Sequence, residues 1–149
     1  MINKNTKTFT TKQNKELRKL LYRLPVVPSS AGIPESFILK YVGFEAVARK
    51  IWHYYRCRSK TQKISKAGIP IIELKKACTY FYIKINDQLL NILLNSKLSK
   101  RGSKSARNLR NEVIHSWMEK GCKEVCSREK ELNRAFSEFM LAVKTVVGA

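Results

Sequence analysis

The amino-acid sequence predicts an all-α protein, an up-down four-helix bundle with a short extra N-terminal helix. Apolar residues recur at spacings of three and four along the main segments, which is the period of one face of an α-helix. Short connectors that contain Pro, Gly or several Lys residues separate these segments, so neighbouring helices are expected to run antiparallel. With 149 residues, 44% of them apolar, the chain has the length and composition of one domain with its own core.

The chain begins with an arm and a short helix. Residues 1–11 are polar and rich in Lys, Thr and Asn, and we expect a flexible basic arm ahead of a single domain over residues 12–149. Residues 12–24 predict a helix that Pro25 ends, and residues 26–32 predict a loop. The apolar face of the helix consists of four leucines at helical spacing: Leu17, Leu20, Leu21 and Leu24.

The two central segments predict the longest helices. The first spans residues 34–58 and has a broad apolar arc. The second spans residues 70–95 as one helix, with Pro70 at its first position, where a missing N–H costs nothing. The aromatic run at residues 80–83 is typical of a strand, but helical spacing on both sides of it favours a helix.

Two further helices complete the predicted bundle. Residues 96–104 form a basic connector, and a helix follows over residues 105–119. Gly121 is expected to stop that helix, since glycine is common just past a helix end. Ser127 is expected to cap a last helix that runs to about residue 147.

The charge of the chain indicates a polyanionic partner. Thirty Lys and Arg residues stand against 11 Asp and Glu, a formal net charge of +19, which exceeds what solubility requires. Basic surfaces bind nucleic acid by releasing its condensed counterions, and we expect RNA rather than an anionic membrane. No stretch of 18 apolar residues and no secretory signal is apparent, so we expect a cytoplasmic protein with its four cysteines reduced.

One helical segment, residues 105–117, places polar chemistry opposite a core face. On a helical wheel Asn111 and His115 lie one turn apart on the polar face, and Arg110 lies at the edge of the apolar arc. A core histidine would lie on the apolar stripe, so the wheel favours a functional or simply solvated His115. The core face consists of Ala106, Leu109, Val113 and Trp117.

Arg110, Asn111 and His115 resemble the Arg-Asn-x3-His form of the motif of HEPN-domain ribonucleases. Leu109 precedes the motif, which falls on a late helix after two long ones, as it does in that family. The resemblance covers the helical layout over residues 34–147. It implies a metal-independent endoribonuclease of the toxin or antiviral-defence type, without a cofactor, in which the ribose 2′-hydroxyl attacks the neighbouring phosphate and leaves a 2′,3′-cyclic phosphate and a 5′-hydroxyl.

The resemblance also implies residue roles and partners. His115 is the general base, because a neutral imidazole accepts a proton near neutral pH. Arg110 is the phosphate clamp, and Asn111 orients His115 or the RNA. Family members usually dimerise, which implies a homodimer with a composite cleft, and an antitoxin or ribonucleoprotein partner is possible. Some family toxins carry a tyrosine that a partner nucleotidyltransferase modifies; Trp117 stands there in this chain, so that partner is not carried over.

Basic residues without an acid among them lead into the motif and predict a phosphate track; a solvated loop is the alternative. They are Lys97, Lys100, Arg101, Lys104 and Arg107. Glu45, on the helix over residues 34–58, is a candidate to orient Arg110 or His115. Its alternative is an ion pair with Arg49, four residues further on.

Three other interpretations remain open. The first is a zinc site, because His53 and Cys57, and likewise Cys122 and Cys126, are four residues apart and could share a helix face. Their spacing is not that of a common zinc finger. Gly121 also argues against a continuous helix beside Cys122. A second interpretation is a non-catalytic basic bundle that holds RNA, similar to accessory proteins of retroelements. A third is a basic surface that docks an acidic protein.

Overall fold

The computed structural model describes residues 7–58, 67–95, 104–116 and 119–149, and within these ranges the protein is all-helical, as predicted. No strand occurs in the described ranges, and none of their helices combines the length and the apolarity needed to cross a membrane. The helices are α1 (Thr11–Tyr22), α2 (Ile33–Arg56), α3 (Ile71–Tyr80), α4 (Asp87–Leu94), α5 (Ala106–Ser116), α6 (Glu119–Ser127) and α7 (Glu129–Val147).

The first helix, α1, is closed by a reciprocal cap. The hydroxyl of Thr10 accepts a hydrogen bond from the Gln13 N–H (3.1 Å), and the Gln13 side chain accepts one from the Thr10 N–H (3.0 Å). Just before this cap, the ring of Phe9 stacks on Phe81 with centroids 4.2 Å apart. Residues 7–10, which the sequence assigns to the arm, are thus packed on the domain, whereas residues 1–6 lie outside the described residues.

The long helix α2 lies at the centre of the fold. It packs against α1, α3, α5, α6 and α7. Its Phe44 and the Phe139 of α7 are fully buried, and their rings meet edge to face with centroids 4.8 Å apart. Most of the predicted apolar arc of this segment is therefore confirmed as core, but its Val42 is exposed.

The single helix predicted over residues 70–95 is wrong, because α3 and α4 are separate. The chain leaves α3 after Tyr80, and Tyr82 takes a positive φ of 61°. Phe81 and Ile83 turn into the core on either side of the exposed Tyr82. Asn86 then starts α4 by accepting a hydrogen bond from the Leu89 N–H (2.7 Å). This N-cap was the signal in the sequence for a second helix.

The predicted helix stop at Gly121 is also wrong, because Gly121 and Cys122 lie inside α6. A Cβ atom at Gly121 would lie 3.1 Å from the Cβ of Glu112 on α5. The glycine therefore lets α5 and α6 approach closely instead of ending a helix. Ser127 does not cap α7 either; it is the last residue of α6, and its hydroxyl donates to the Glu124 carbonyl (2.9 Å).

Candidate active site

The motif lies on α5, whose orientation is set by its apolar face. Ala106, Leu109 and Val113 are fully buried, as the wheel predicts, and α5 packs against α2, α4 and α6. The hydroxyl of Ser105 accepts a hydrogen bond from the Asn108 N–H (3.3 Å) and so caps the start of the helix. Trp117, the remaining member of the predicted core face, lies outside the described residues.

The three motif residues occupy the exposed edge of α5. Asn111 and His115 are exposed, one helical turn apart, and Arg110 is half-buried. The Nη1 of Arg110 donates a hydrogen bond to the Oδ1 of Asn111 (2.9 Å). The structure thus brings Arg110 and Asn111 into direct contact and places His115 one turn further on, at the same side as Asn111.

The Arg110 guanidinium keeps donors for a ligand. An arginine has five N–H donors, and the bond to Asn111 takes one of them. The Nε of Arg110 is buried and has no hydrogen-bond partner among the described residues. An anion that approaches this edge of α5 would therefore meet a cation whose hydrogen-bonding capacity is not exhausted.

Tyr41 of α2 belongs to the site, although the sequence predicts it only as part of the apolar arc over residues 34–58. Its ring is 3% exposed and lies under Arg110, with 5.9 Å between the guanidinium carbon and the ring centroid. Arg107 is its second basic neighbour on α5. Burial raises the pKa of Tyr41, the charge of Glu45 raises it further, and the two arginines lower it. A tyrosine within an otherwise apolar arc was the signal for this polar contact.

Glu45 forms an ion pair with Arg49, which was the alternative to its predicted role of orienting Arg110 or His115. Its Oε1 accepts a hydrogen bond from the Nη2 of Arg49 at 2.8 Å. Arg49 in turn donates to the carbonyl of Ala67 (2.7 Å). Glu45 is therefore held along α2, and its influence on the motif passes through the environment of Tyr41.

The structure describes only two of the five residues of the predicted phosphate track. Lys104 forms an ion pair with Glu112 of α5, and Arg107 donates to the carbonyl of Ile69. The Lys104 ion pair is local to the start of α5, whereas the Arg107 bond ties α5 to the segment before α3. The other three, Lys97, Lys100 and Arg101, lie outside the described residues.

The two Cys-containing pairs differ in their surroundings. The Sγ of Cys57 lies 3.5 Å from the Nδ1 of the half-buried His53, whose pKa is lowered by burial and by the charges of Lys50 and Arg56. Cys122 is half-buried and Cys126 is exposed on α6. Among the described residues, no three His, Cys, Asp or Glu side chains are grouped to hold a metal ion.

Comparison of the chain with protein-family models, curated proteins and solved structures finds no match in any of the three. The resemblance to HEPN ribonucleases therefore rests on Arg110, Asn111 and His115 and on the order of the helices.

Proposed function

We propose that the protein is a metal-independent endoribonuclease of the HEPN type, a toxin or antiviral-defence effector that cuts RNA at α5. The observation that supports this most directly is the Arg110–Asn111 hydrogen bond beside the exposed His115. A cation and a titratable imidazole are thereby displayed on the same exposed edge of one helix. In this proposal the four main segments of the bundle are α2, α3 with α4, α5 with α6, and α7, and α1 is the extra helix.

The proposed reaction uses the chain's own residues. His115 takes the proton from a ribose 2′-hydroxyl, and that oxygen then attacks the adjacent phosphorus. The bond from phosphorus to the 5′-oxygen breaks, and the departing oxygen takes up a proton. Arg110 binds the phosphate oxygens and stabilises the charge that builds up in the transition state, while Asn111 holds Arg110 in place.

A second copy of the chain would supply the acid. One motif contains one histidine, whereas the leaving 5′-oxygen benefits from a second proton donor. Ile114, between Arg110 and His115 in sequence, is 45% exposed on α5, and a partner copy would cover this apolar side chain. We expect sedimentation to give twice the chain mass of 17.2 kDa and Ile114→Glu to give a monomer that has lost cleavage.

Cleavage of total RNA in EDTA tests the proposal. We expect the wild-type protein to leave 2′,3′-cyclic phosphate ends and His115→Ala to leave RNA uncut while it still binds. His53 is the only other histidine, so His53→Gln is the matched control and should cut normally. If His115→Ala cuts RNA as well as wild type does, the assignment of His115 as the general base is wrong.

The non-catalytic RNA-binding bundle remains the second candidate, because the net charge of +19 favours RNA binding with or without the motif. It predicts that RNA stays intact at all protein concentrations but shifts in a gel at low salt. Cyclic-phosphate ends that depend on His115 would reject it.

A further inference from the structure

A second basic site lies at the other end of α2. A groove of about 320 Å³ opens between the C-terminal end of α2 and α3. Arg56 follows Tyr41 by 15 residues on α2, which is about 22 Å along the axis at 1.5 Å per residue. The groove is therefore separate from the site on α5. It is lined by Tyr55, Arg56, Arg58, Glu73 and Lys76.

Aromatic rings hold the two arginines of the groove. The guanidinium carbon of Arg56 lies 5.0 Å from the ring centroid of Trp52. That of Arg58 lies 3.9 Å from the ring of Tyr55 and 5.9 Å from the ring of Tyr80. Because these cation–π contacts favour particular positions of the two guanidinium groups, they help to preorganise them for a ligand.

The groove has an excess of positive charge. Arg56, Arg58 and Lys76 stand against the single carboxylate of Glu73, which already accepts a hydrogen bond from the Trp52 indole N–H (2.5 Å). The Nη1 of Arg56 is buried without a hydrogen-bond partner among the described residues. A buried donor without an acceptor is costly, and a shift of the Arg56 side chain toward an oxyanion in the groove would satisfy it.

We propose that this groove binds a phosphate group of an RNA strand, as an anchor separate from the motif on α5. Guanidinium groups bind phosphate oxygens in pairs, and both Arg56 and Arg58 line the groove. The inference rests on RNA as the ligand of the proposed function, and it does not require that RNA be cut. An anchor this far from Arg110 tightens binding and does not accelerate the chemical step.

Trp52 reports on the groove directly. The chain has two tryptophans, so Trp117→Phe leaves Trp52 as the only one. In a His115→Ala background, which keeps RNA intact, its fluorescence is followed while a single-stranded oligoribonucleotide is added. Inorganic tripolyphosphate is titrated separately to distinguish free polyphosphate from RNA.

A charge-matched pair of variants completes the test. Arg58→Gln with Lys76→Gln changes two exposed side chains of the groove, so the fold should be kept. Their control is Lys40→Gln with Lys144→Gln, which removes two cations beside a different groove between α2 and α7. We expect the groove variant to raise the RNA dissociation constant about tenfold more than the control does. It should also reduce the slope of log affinity against log salt by about 0.7, the value for one lost phosphate contact on a single strand.

Three results would overturn the inference. They are a Trp52 emission that does not change as RNA binds, equal affinity and salt slope in the groove variant and its control, or saturation by tripolyphosphate at the same concentration as by RNA. The last result would assign the groove to free polyphosphate. If the wild-type protein cuts no RNA but Trp52 responds to it, only the nuclease proposal fails; if RNA is cut and Trp52 is silent, only the groove proposal fails.

Discussion

The guanidinium carbon of Arg110 lies 5.9 Å from the centroid of the Tyr41 ring, so a buried side chain of α2 supports the cation of the motif on α5. Arg107, also on α5, is close enough to the same tyrosine to lower its pKa. One residue of the central helix thus lies next to two arginines of α5. Tyr41 is a positioning residue, since it acts on Arg110 and is itself buried away from any substrate.

Removal of the Tyr41 ring should slow RNA cleavage more than removal of its hydroxyl. Tyr41→Leu abolishes the contact with Arg110, and we expect kcat to fall about tenfold, which corresponds to about 1.4 kcal/mol and lies within the range of a partly buried cation–π contact. Tyr41→Phe keeps the ring and should stay within about threefold of wild type. Single-turnover cleavage of a defined RNA measures both rates.

The two Tyr41 variants need a control for folding, because Tyr41 is also part of the core. Thermal unfolding shows whether each variant is native at the assay temperature, and a binding titration shows whether affinity for RNA is kept. A folded Tyr41→Leu variant that cuts at the wild-type rate would show that Arg110 does not need this ring.

Local periodicity explains which helices could be predicted. The sequence predicts α1, α2 and α7 to within a few residues because each has one long amphipathic pattern. It does not reveal the break between α3 and α4, because Phe81 and Ile85 continue the helical spacing of α3 across it. The only sequence signal for a break there is Asn86, a single residue that can cap the start of α4.

Tertiary contacts explain what could not be predicted at the site. The exposure of Asn111 and His115 follows from their positions on α5. The partners of Lys104 and Arg107 do not, because a carboxylate on the same helix and a carbonyl before α3 engage them. Whether a cation is available to RNA depends on such neighbours, and the charge pattern alone does not contain them.

Removal of the Glu112 charge should tighten RNA binding. Glu112 pairs with Lys104 next to the motif, so Glu112→Gln leaves that cation available to a phosphate. We expect the affinity to rise about threefold at low salt and the salt slope to steepen by up to about 0.7. Glu138→Gln breaks a more exposed pair with Arg134 on α7 and is the charge-matched control. Equal gains in the two variants would mean that only net charge matters.

Gly148 should be the sensitive position at the end of α7. It caps the helix with φ of 71°, a conformation that costs other residues about 1 kcal/mol. Next to it, the Nε of Arg18 donates to the Val147 carbonyl (2.7 Å) and so ties α1 to the end of α7. We expect Gly148→Ala to lower the free energy of unfolding in urea by about 1 kcal/mol, and Gly148→Asn to lower it less, since asparagine tolerates this conformation. Equal losses would indicate a steric cause at Arg18 instead.

The hydrogen bond between Tyr54 and Glu16 should make stability depend on pH at both extremes. The Tyr54 hydroxyl donates to the Glu16 carboxylate and lowers its pKa below the usual 4.5; burial opposes this, and Lys50, 3.6 Å away, adds to it. Because the folded pKa is the lower one, the stabilisation is complete above about pH 4.5 and is lost as the pH falls through the folded value. The Tm of wild type should therefore fall more steeply with acid than that of Glu16→Gln.

At alkaline pH the same hydrogen bond makes the stability of the fold fall as the pH rises. Burial and the hydrogen bond to Glu16 raise the pKa of Tyr54 above its usual 10.0, so its hydroxyl ionises more readily in the unfolded chain. Stability should fall as the pH rises past 10 in wild type, and Tyr54→Phe should remove the part of that fall due to this group. Because the same bond links both residues, Tyr54→Phe should also flatten the acid limb as Glu16→Gln does. A Tyr54→Phe profile that is flatter only above pH 10 would show that the carboxylate is stabilised by Lys50 and not by the tyrosine.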